Sequence, residues 1–198
     1  MGRGKDRTGL STSRFTPNTS PPRMDFTQTH FALFGLPQTY TLDRDKLDSA
    51  YRELQNTVHP DRFAAQPEAE QRVAMQWATR ANEAYQTLKH PVNRGVYLLQ
   101  LQGIDAFDAS NTKMTPAFLM QQMEWREVLD DVRVAKKPAA LDALADELRT
   151  AHRHIEAQLA DLIDTKHNFD GACEAVRQLR FMDKLIAEAG DVYEELES

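Results

Sequence analysis

The ten residues "TVHPDRFAAQ" at positions 57–66 interrupt a chain that otherwise reads as nearly continuous helix, and they set His59, Pro60 and Asp61 side by side. A residue before proline is pushed out of α geometry, so a helix arriving from the N-terminal side stops at His59. Upstream, Thr41 and Asp43 are both good N-caps, and Leu47, Tyr51, Leu54 and Val58 recur at helical spacing on one face. Downstream, Pro67 with Glu68 and Glu70 opens another helix, whose expected apolar stripe is Val73, Trp77, Ala81, Ala84, Tyr85 and Leu88. Two helices joined by so short a loop pack antiparallel, with the triplet at their shared end.

Before this hairpin, "HFALFGLP" predicts a short helix that ends at Gly35 and Pro37. After it, Pro91 closes the unit, and "VYLLQLQG" reads as a short amphipathic or fully buried helix leading into a linker, 103–112, of small and turn-forming residues. Three further helices are expected at about 115–134, 138–166 and 171–197. The middle one carries Leu141, Leu144, Leu148, Ile155, Leu159 and Leu162, and the last carries Val176, Leu179, Ile186, Tyr193 and Leu196. No alternating run of β-branched residues proposes a strand, so the class is all-α. The boundaries that follow are a tail at 1–23, a hairpin domain at 24–98, a connecting segment at 99–112, and a three-helix bundle at 113–198.

Composition narrows the function. Hydrophobic residues make up 41% and charged residues 27% of the 198, enough to fold by burying apolar surface. A net charge of -6 argues against a general nucleic-acid or anionic-membrane binder, because both need a positive field. A single cysteine, Cys173, excludes an intramolecular disulfide and a thiolate zinc cage and suits a reducing compartment. No apolar run approaches the roughly 20 residues of a membrane span. The first 22 residues hold almost no large apolar side chains and predict a flexible tail. Their basic, Ser-rich character is shared with mitochondrial presequences, but their Gly and Pro content would break the amphipathic helix these require, and Met24 offers a second start.

As chemistry, His59 and Asp61 lack partners: no Ser or Cys nucleophile, glycine-rich phosphate loop or second histidine at metal-ligand spacing lies nearby. The chain therefore does not read as an enzyme, and no cofactor or metal is expected. The plain alternative is a turn in which His59 and Pro60 end a helix and Asp61 caps it. "KHPVN" at 89–93 also ends a helix with His-Pro but lacks the aspartate. His152 and His154 lie about 200° apart around a helix, so they cannot bind one metal from a single face. Cys173 reads as structural. The helix from about 115 is more informative, because its apolar residues fall on two faces. Phe118, Trp125, Leu129 and Val132 share one, and Leu119, Met120 and Met123 lie nearly opposite, bordered by Arg126 and Glu127. Either the rest of the chain covers that second face or a partner does. Phe181 likewise lies opposite the Val176, Leu179 and Ile186 stripe of the last helix.

"HPDRF" between two antiparallel helices, preceded by "HFALFGLP", resembles a J-domain. The likeness extends through "NEAYQTLKHPVNRGVYLLQLQG", "AFLMQQMEWREVLDD" and "VRQLRFMDKL", which are similar to the HscB family of iron–sulfur co-chaperones, from about Asp25 to the C-terminus. The resemblance implies an L-shaped, two-domain protein that delivers the scaffold protein IscU to a DnaK-type chaperone, HscA, and stimulates its ATPase. It implies that His59, Pro60 and Asp61, with Lys46 and Arg52 of the preceding helix, contact the chaperone. Leu119, Met120, Met123, Arg126, Glu127 and Phe181 are implied as the scaffold-binding face. General J-proteins have a strongly basic second helix, whereas Lys46 and Arg52 are here mixed with Asp48 and Glu53. Eukaryotic relatives often carry a zinc-binding cysteine tetrad, which this sequence lacks, so a bacterial cytoplasmic location is expected over a mitochondrial matrix. The alternatives are a J-protein for another client, or a helical assembly protein with no chaperone role.

Overall fold

The structure is a computed structural model that describes residues 25–109, 112–136 and 138–197. Among these residues it is all-α, with seven α-helices and no strand: α1 (His30–Leu33), α2 (Arg44–Val58), α3 (Glu68–Lys89), α4 (Pro91–Leu101), α5 (Pro116–Ala135), α6 (Pro138–Ala160) and α7 (Phe169–Glu197). The expected tail at 1–23 and the possible start at Met24 lie outside the described residues.

The α2–α3 hairpin forms as its caps dictate. Asp43 accepts the Lys46 N–H at 3.2 Å to start α2. The two helices run antiparallel, with Tyr51 stacked on Tyr85 at 4.0 Å, the Tyr51 hydroxyl donating to Asn82 and the Tyr85 hydroxyl donating to Asp48. Leu47 and Val58 are buried beneath them. The α3 stripe differs from expectation by one residue: Ala74, not Val73, joins Trp77, Ala81, Ala84 and Leu88 in the core, and Val73 is exposed. Alternating steps of 3 and 4 residues leading back from Leu88 reach 74, and one residue further rotates a side chain by about 100° toward solvent.

The core is continuous from Phe31 in α1 to Val192 in α7. Helix α4 joins the hairpin to the bundle. Its Arg94, buried, donates to the Leu88 carbonyl at 2.7 Å and lies 4.7 Å over the ring of buried Tyr40. Gly95 faces α7 so closely that a Cβ there would lie 3.0 Å from Val176 Cγ2 and 3.1 Å from Leu159 Cδ2.

The end of α6 does not run straight into a loop. A π-turn at Asp161–Thr165 follows it, closed by the Lys166 N–H donating to the Asp161 carbonyl at 2.9 Å. The extra residue in the turn buries Ile163 where simple spacing expected Leu162, which is only half-buried. It also presents Asp164, whose carboxylate accepts the Tyr40 N–H at 2.6 Å and the Thr41 N–H at 2.8 Å. The bundle thereby holds the strand-like approach to α2.

In α7 the buried set is Ala172, Cys173, Ala175, Val176, Leu179, Met182, Leu185, Ala189 and Val192. Tyr193, expected in the stripe, is exposed, and Ile186 and Leu196 are only partly buried. The inward sector turns along the helix because its neighbours change: Val176 meets α4 at Gly95, whereas Glu188 and Glu195 lie beside Arg126 and Arg133 of α5.

Candidate functional site

The triplet forms at the end of α2. His59, with φ -57 and ψ 127, leaves the helix as the proline requires, and Pro60–Phe63 winds into a 3₁₀ turn. The His59 side chain caps that turn: its Nδ1 accepts the Asp61 N–H at 3.3 Å, which places the ring proton on Nε2 in the neutral form. The Asp61 carboxylate is 3.5 Å from the same nitrogen. Arg62 reaches back to the Asn56 carbonyl at 2.8 Å and satisfies one of the carbonyls that the end of α2 leaves open. Gln71 of α3 donates to the carbonyls of Gln66 and Ala64. The loop is thus held by its own side chains, while His59, Pro60 and Asp61 remain exposed, Asp61 with 89% of its side chain accessible.

Arg52 and Lys46 are also exposed on α2, but the structure does not gather them at the triplet. At 1.5 Å per residue, Arg52 lies about 10 Å and Lys46 about 20 Å back along the helix. Lys46 pairs with Asp43 at 3.4 Å, and Arg52 donates to Ser49.

The second candidate surface lies on α5. Phe118, Trp125, Leu129 and Val132 are buried, and the Trp125 indole donates to Glu147 of α6 at 2.7 Å. On the other face Leu119, Met120 and Met123 are 46%, 64% and 72% exposed, so the other described residues do not cover them. Glu127 is exposed beside them. Phe181 departs from expectation: it is half-buried, edge-to-face with Phe118 at 6.0 Å, because α7 packs directly along α5. Arg126 spans the two helices, with its guanidinium 5.3 Å over the Phe181 ring and 3.6 Å from the Glu188 carboxylate. Val128, 42% exposed on the same helix, was not singled out by sequence reasoning because it belongs to neither of the two stripes. Phe107 and Arg180 were also missed; their rings and charges meet only in the fold, with the guanidinium 4.4 Å over the ring.

Cys173 is buried, and its burial raises the thiol pKa above the ordinary value. His152 is held between Asp183 at 3.0 Å and Glu156, and His154 contacts Gln158 instead. Among the described residues, no group of three or more His, Cys, Asp or Glu could hold a metal ion, and no helix is long and apolar enough to cross a membrane.

The chain is similar to known proteins along most of its length. Residues 114–190 match the family model described as the HSCB C-terminal oligomerisation domain. A co-chaperone protein HscB homolog of Burkholderia thailandensis is 56% identical over 168 residues, 85% of this chain and 95% of the relative. The homolog of Paraburkholderia phymatum is 54% identical over 169 residues, 85% of this chain and 96% of its own. Among solved structures, the chaperone HscB from Vibrio cholerae superposes with a TM-score of 0.76 at 40% identity, covering 85% of this chain and 99% of that one. The human co-chaperone protein HscB gives a TM-score of 0.77 at 26% identity, covering 94% and 93%. With sequence identity above one half across nearly the whole length of its relatives, an all-helical fold shared with solved members, and the C-terminal domain model over α5 to α7, the chain belongs to the HscB family of co-chaperones.

Proposed function

We propose that this co-chaperone serves iron–sulfur cluster assembly in the bacterial cytoplasm, binding the scaffold protein IscU on α5 and α7 and presenting it to the DnaK-type chaperone HscA. In this reading Leu119, Met120, Met123, Arg126, Glu127 and Phe181 hold the scaffold, and His59, Pro60 and Asp61, with Arg52 and Lys46 alongside, contact the chaperone and stimulate its ATPase. The observation that carries it is the pairing, in one chain, of two exposed and differently built surfaces: a self-capped polar turn and an apolar patch of adaptable methionines. The division 24–98, 99–112 and 113–198 follows as a division of labour rather than of cores, since α4 runs through residue 98.

Neither surface performs bond chemistry in this scheme. A partner alters a chaperone's ATPase only by binding its conformations unequally, and the self-capped turn offers His59 and Asp61 in a fixed arrangement for that discrimination. The mixed charge of α2, with Asp48 and Glu53 beside Lys46 and Arg52, makes the encounter less dependent on long-range attraction than a uniformly basic helix would. The patch on α5 has an apolar centre and a charged rim, the build of a protein interface.

The test combines two assays on one variant. His59→Gln, at an exposed position, is expected to retain the wild-type fold by circular dichroism and to co-precipitate IscU normally, while failing to raise the steady-state ATPase of HscA. Full stimulation by the folded variant would refute the role of the loop. Stimulation by the wild-type protein without any IscU retention would favour a J-protein for another client.

A further inference from the structure

Next to the proposed scaffold face, and continuous with it through Phe181, lies a groove of about 450 Å³ lined by Phe107, Arg177, Arg180, Phe181 and Lys184. Its composition is unusual for a chain of net charge -6: three cations and two aromatic rings, with no carboxylate among the lining residues. Positions 177, 180 and 184 share one side of α7 at steps of 3 and 4, and Phe107 closes over them from the connecting segment.

The three cations do different things. Arg177 is structural: it donates to the carbonyls of Ala106 at 2.9 Å and Lys113 at 3.0 Å, tying the middle of the connecting segment and the residue just after it to α7. This holds Phe107 in place, helped by the exposed Asp105 carboxylate, which accepts the Phe107 N–H at 2.8 Å. Arg180 lies over the Phe107 ring at 4.4 Å, and neither it nor Lys184 forms a salt bridge among the described residues, although both are exposed. On the other edge, Phe181 is shared with the α5 surface through Phe118 and Arg126. A guanidinium stacked on a ring keeps its in-plane N–H donors free for a bidentate carboxylate.

We infer that the groove between Phe107 and Phe181 is a second subsite for the same scaffold protein, taking an acidic segment that borders the scaffold's apolar patch. Its carboxylates pair with Arg180 and Lys184, and an adjoining aliphatic or aromatic side chain lies against the two rings. The inference rests on the scaffold-binding reading above and adds what that reading lacks, an electrostatic element that sets orientation and rate of encounter.

The experiment titrates IscU into the wild-type protein, the charge-reversal variant Arg180→Glu with Lys184→Glu, and the variant Phe107→Ala, at salt from about 0.05 to 0.5 M, where screening grows steeply. The wild type is expected to lose affinity as salt rises. The charge reversal is expected to weaken binding roughly tenfold at the low-salt end and to flatten the salt dependence, and Phe107→Ala to weaken it a few-fold with the salt dependence kept. Wild-type affinity and salt dependence in the charge-reversed protein, while alanines at Leu119, Met120 and Met123 abolish binding, would overturn this inference alone. Absence of IscU binding by the wild type would overturn it together with the reading beneath it. Retention of a short single-stranded oligonucleotide that depends on Arg180 and Lys184, with IscU affinity unchanged by their reversal, would reassign the groove to nucleic acid.

Discussion

Replacing Leu119, Met120 and Met123 together by alanine separates an interface from a core. Full burial of a Leu or Met side chain stabilises a fold by about 1.5 to 3 kcal/mol. With 46%, 64% and 72% of these residues still exposed, folding removes only roughly half, a third and a quarter of their surface from water. The three contributions then sum to about 2 to 3.5 kcal/mol, an upper range because the unfolded chain already hides some apolar area. Alanine keeps the Cβ and has the higher helix propensity, which offsets a few tenths of a kcal/mol at each position. The triple variant is therefore expected to lose about 1 to 2 kcal/mol in urea denaturation with an unchanged slope. Phe181 is left in place because its ring packs on Phe118, so removing it would mix the two effects. Apolar anchors at the centre of an interface cost about 1 to 4 kcal/mol each, not additively, so affinity for the scaffold measured by calorimetry should fall by at least a factor of about 100. A loss of stability above about 4 kcal/mol would show that these side chains belong to the core. Unchanged affinity in a folded triple variant would refute the interface.

Other perturbations probe the frame that holds the two surfaces. Gly95→Leu drives a side chain into Val176 and Leu159 and should destabilise the fold by about 3 kcal/mol or more, whereas Gly190→Ala, with nothing within 4 Å of the added Cβ, should stabilise it by about 0.5 to 1 kcal/mol; chemical denaturation of both checks the pair. Asp164→Asn puts an amide group against a backbone N–H and removes the charge, so a loss of about 1 to 3 kcal/mol and faster exchange of the Tyr40 and Thr41 amides are expected; wild-type protection would refute the clamp. Cys173 should react with iodoacetamide at least about 100 times more slowly in the native protein at mildly alkaline pH than in denaturant, because the thiol is buried and its pKa raised. The same shift means the unfolded thiol ionises first, so stability should fall as pH rises from the ordinary thiol value toward the raised one.

Local rules acting on a few residues determined much of this protein before any tertiary contact. Asp43 capped α2, His59-Pro60 ended it, Pro67 and the acids after it opened α3, and the absence of period-2 patterning made the chain all-α. The two-faced pattern of α5 was legible for the same reason: one helix cannot bury opposite faces in a small bundle, so Leu119, Met120 and Met123 had to lie outside or be covered. Which of these held was decided only by packing, and it leaves them exposed. Packing also decided what spacing could not express. Phe181 is drawn against Phe118 because α7 runs along α5, Tyr193 is turned outward because the neighbours of α7 change along its length, and Arg180 meets Phe107 across more than seventy positions of sequence. The π-turn that aims Asp164 at Tyr40 and Thr41 has no periodic signature of its own, since one extra residue in a helix is stabilised by the partners it reaches, and those partners lie 123 and 124 residues away. Periodicity fixes which residues can share a face; the free energy of burying that face, and so its orientation, depends on neighbours that only the folded chain brings near.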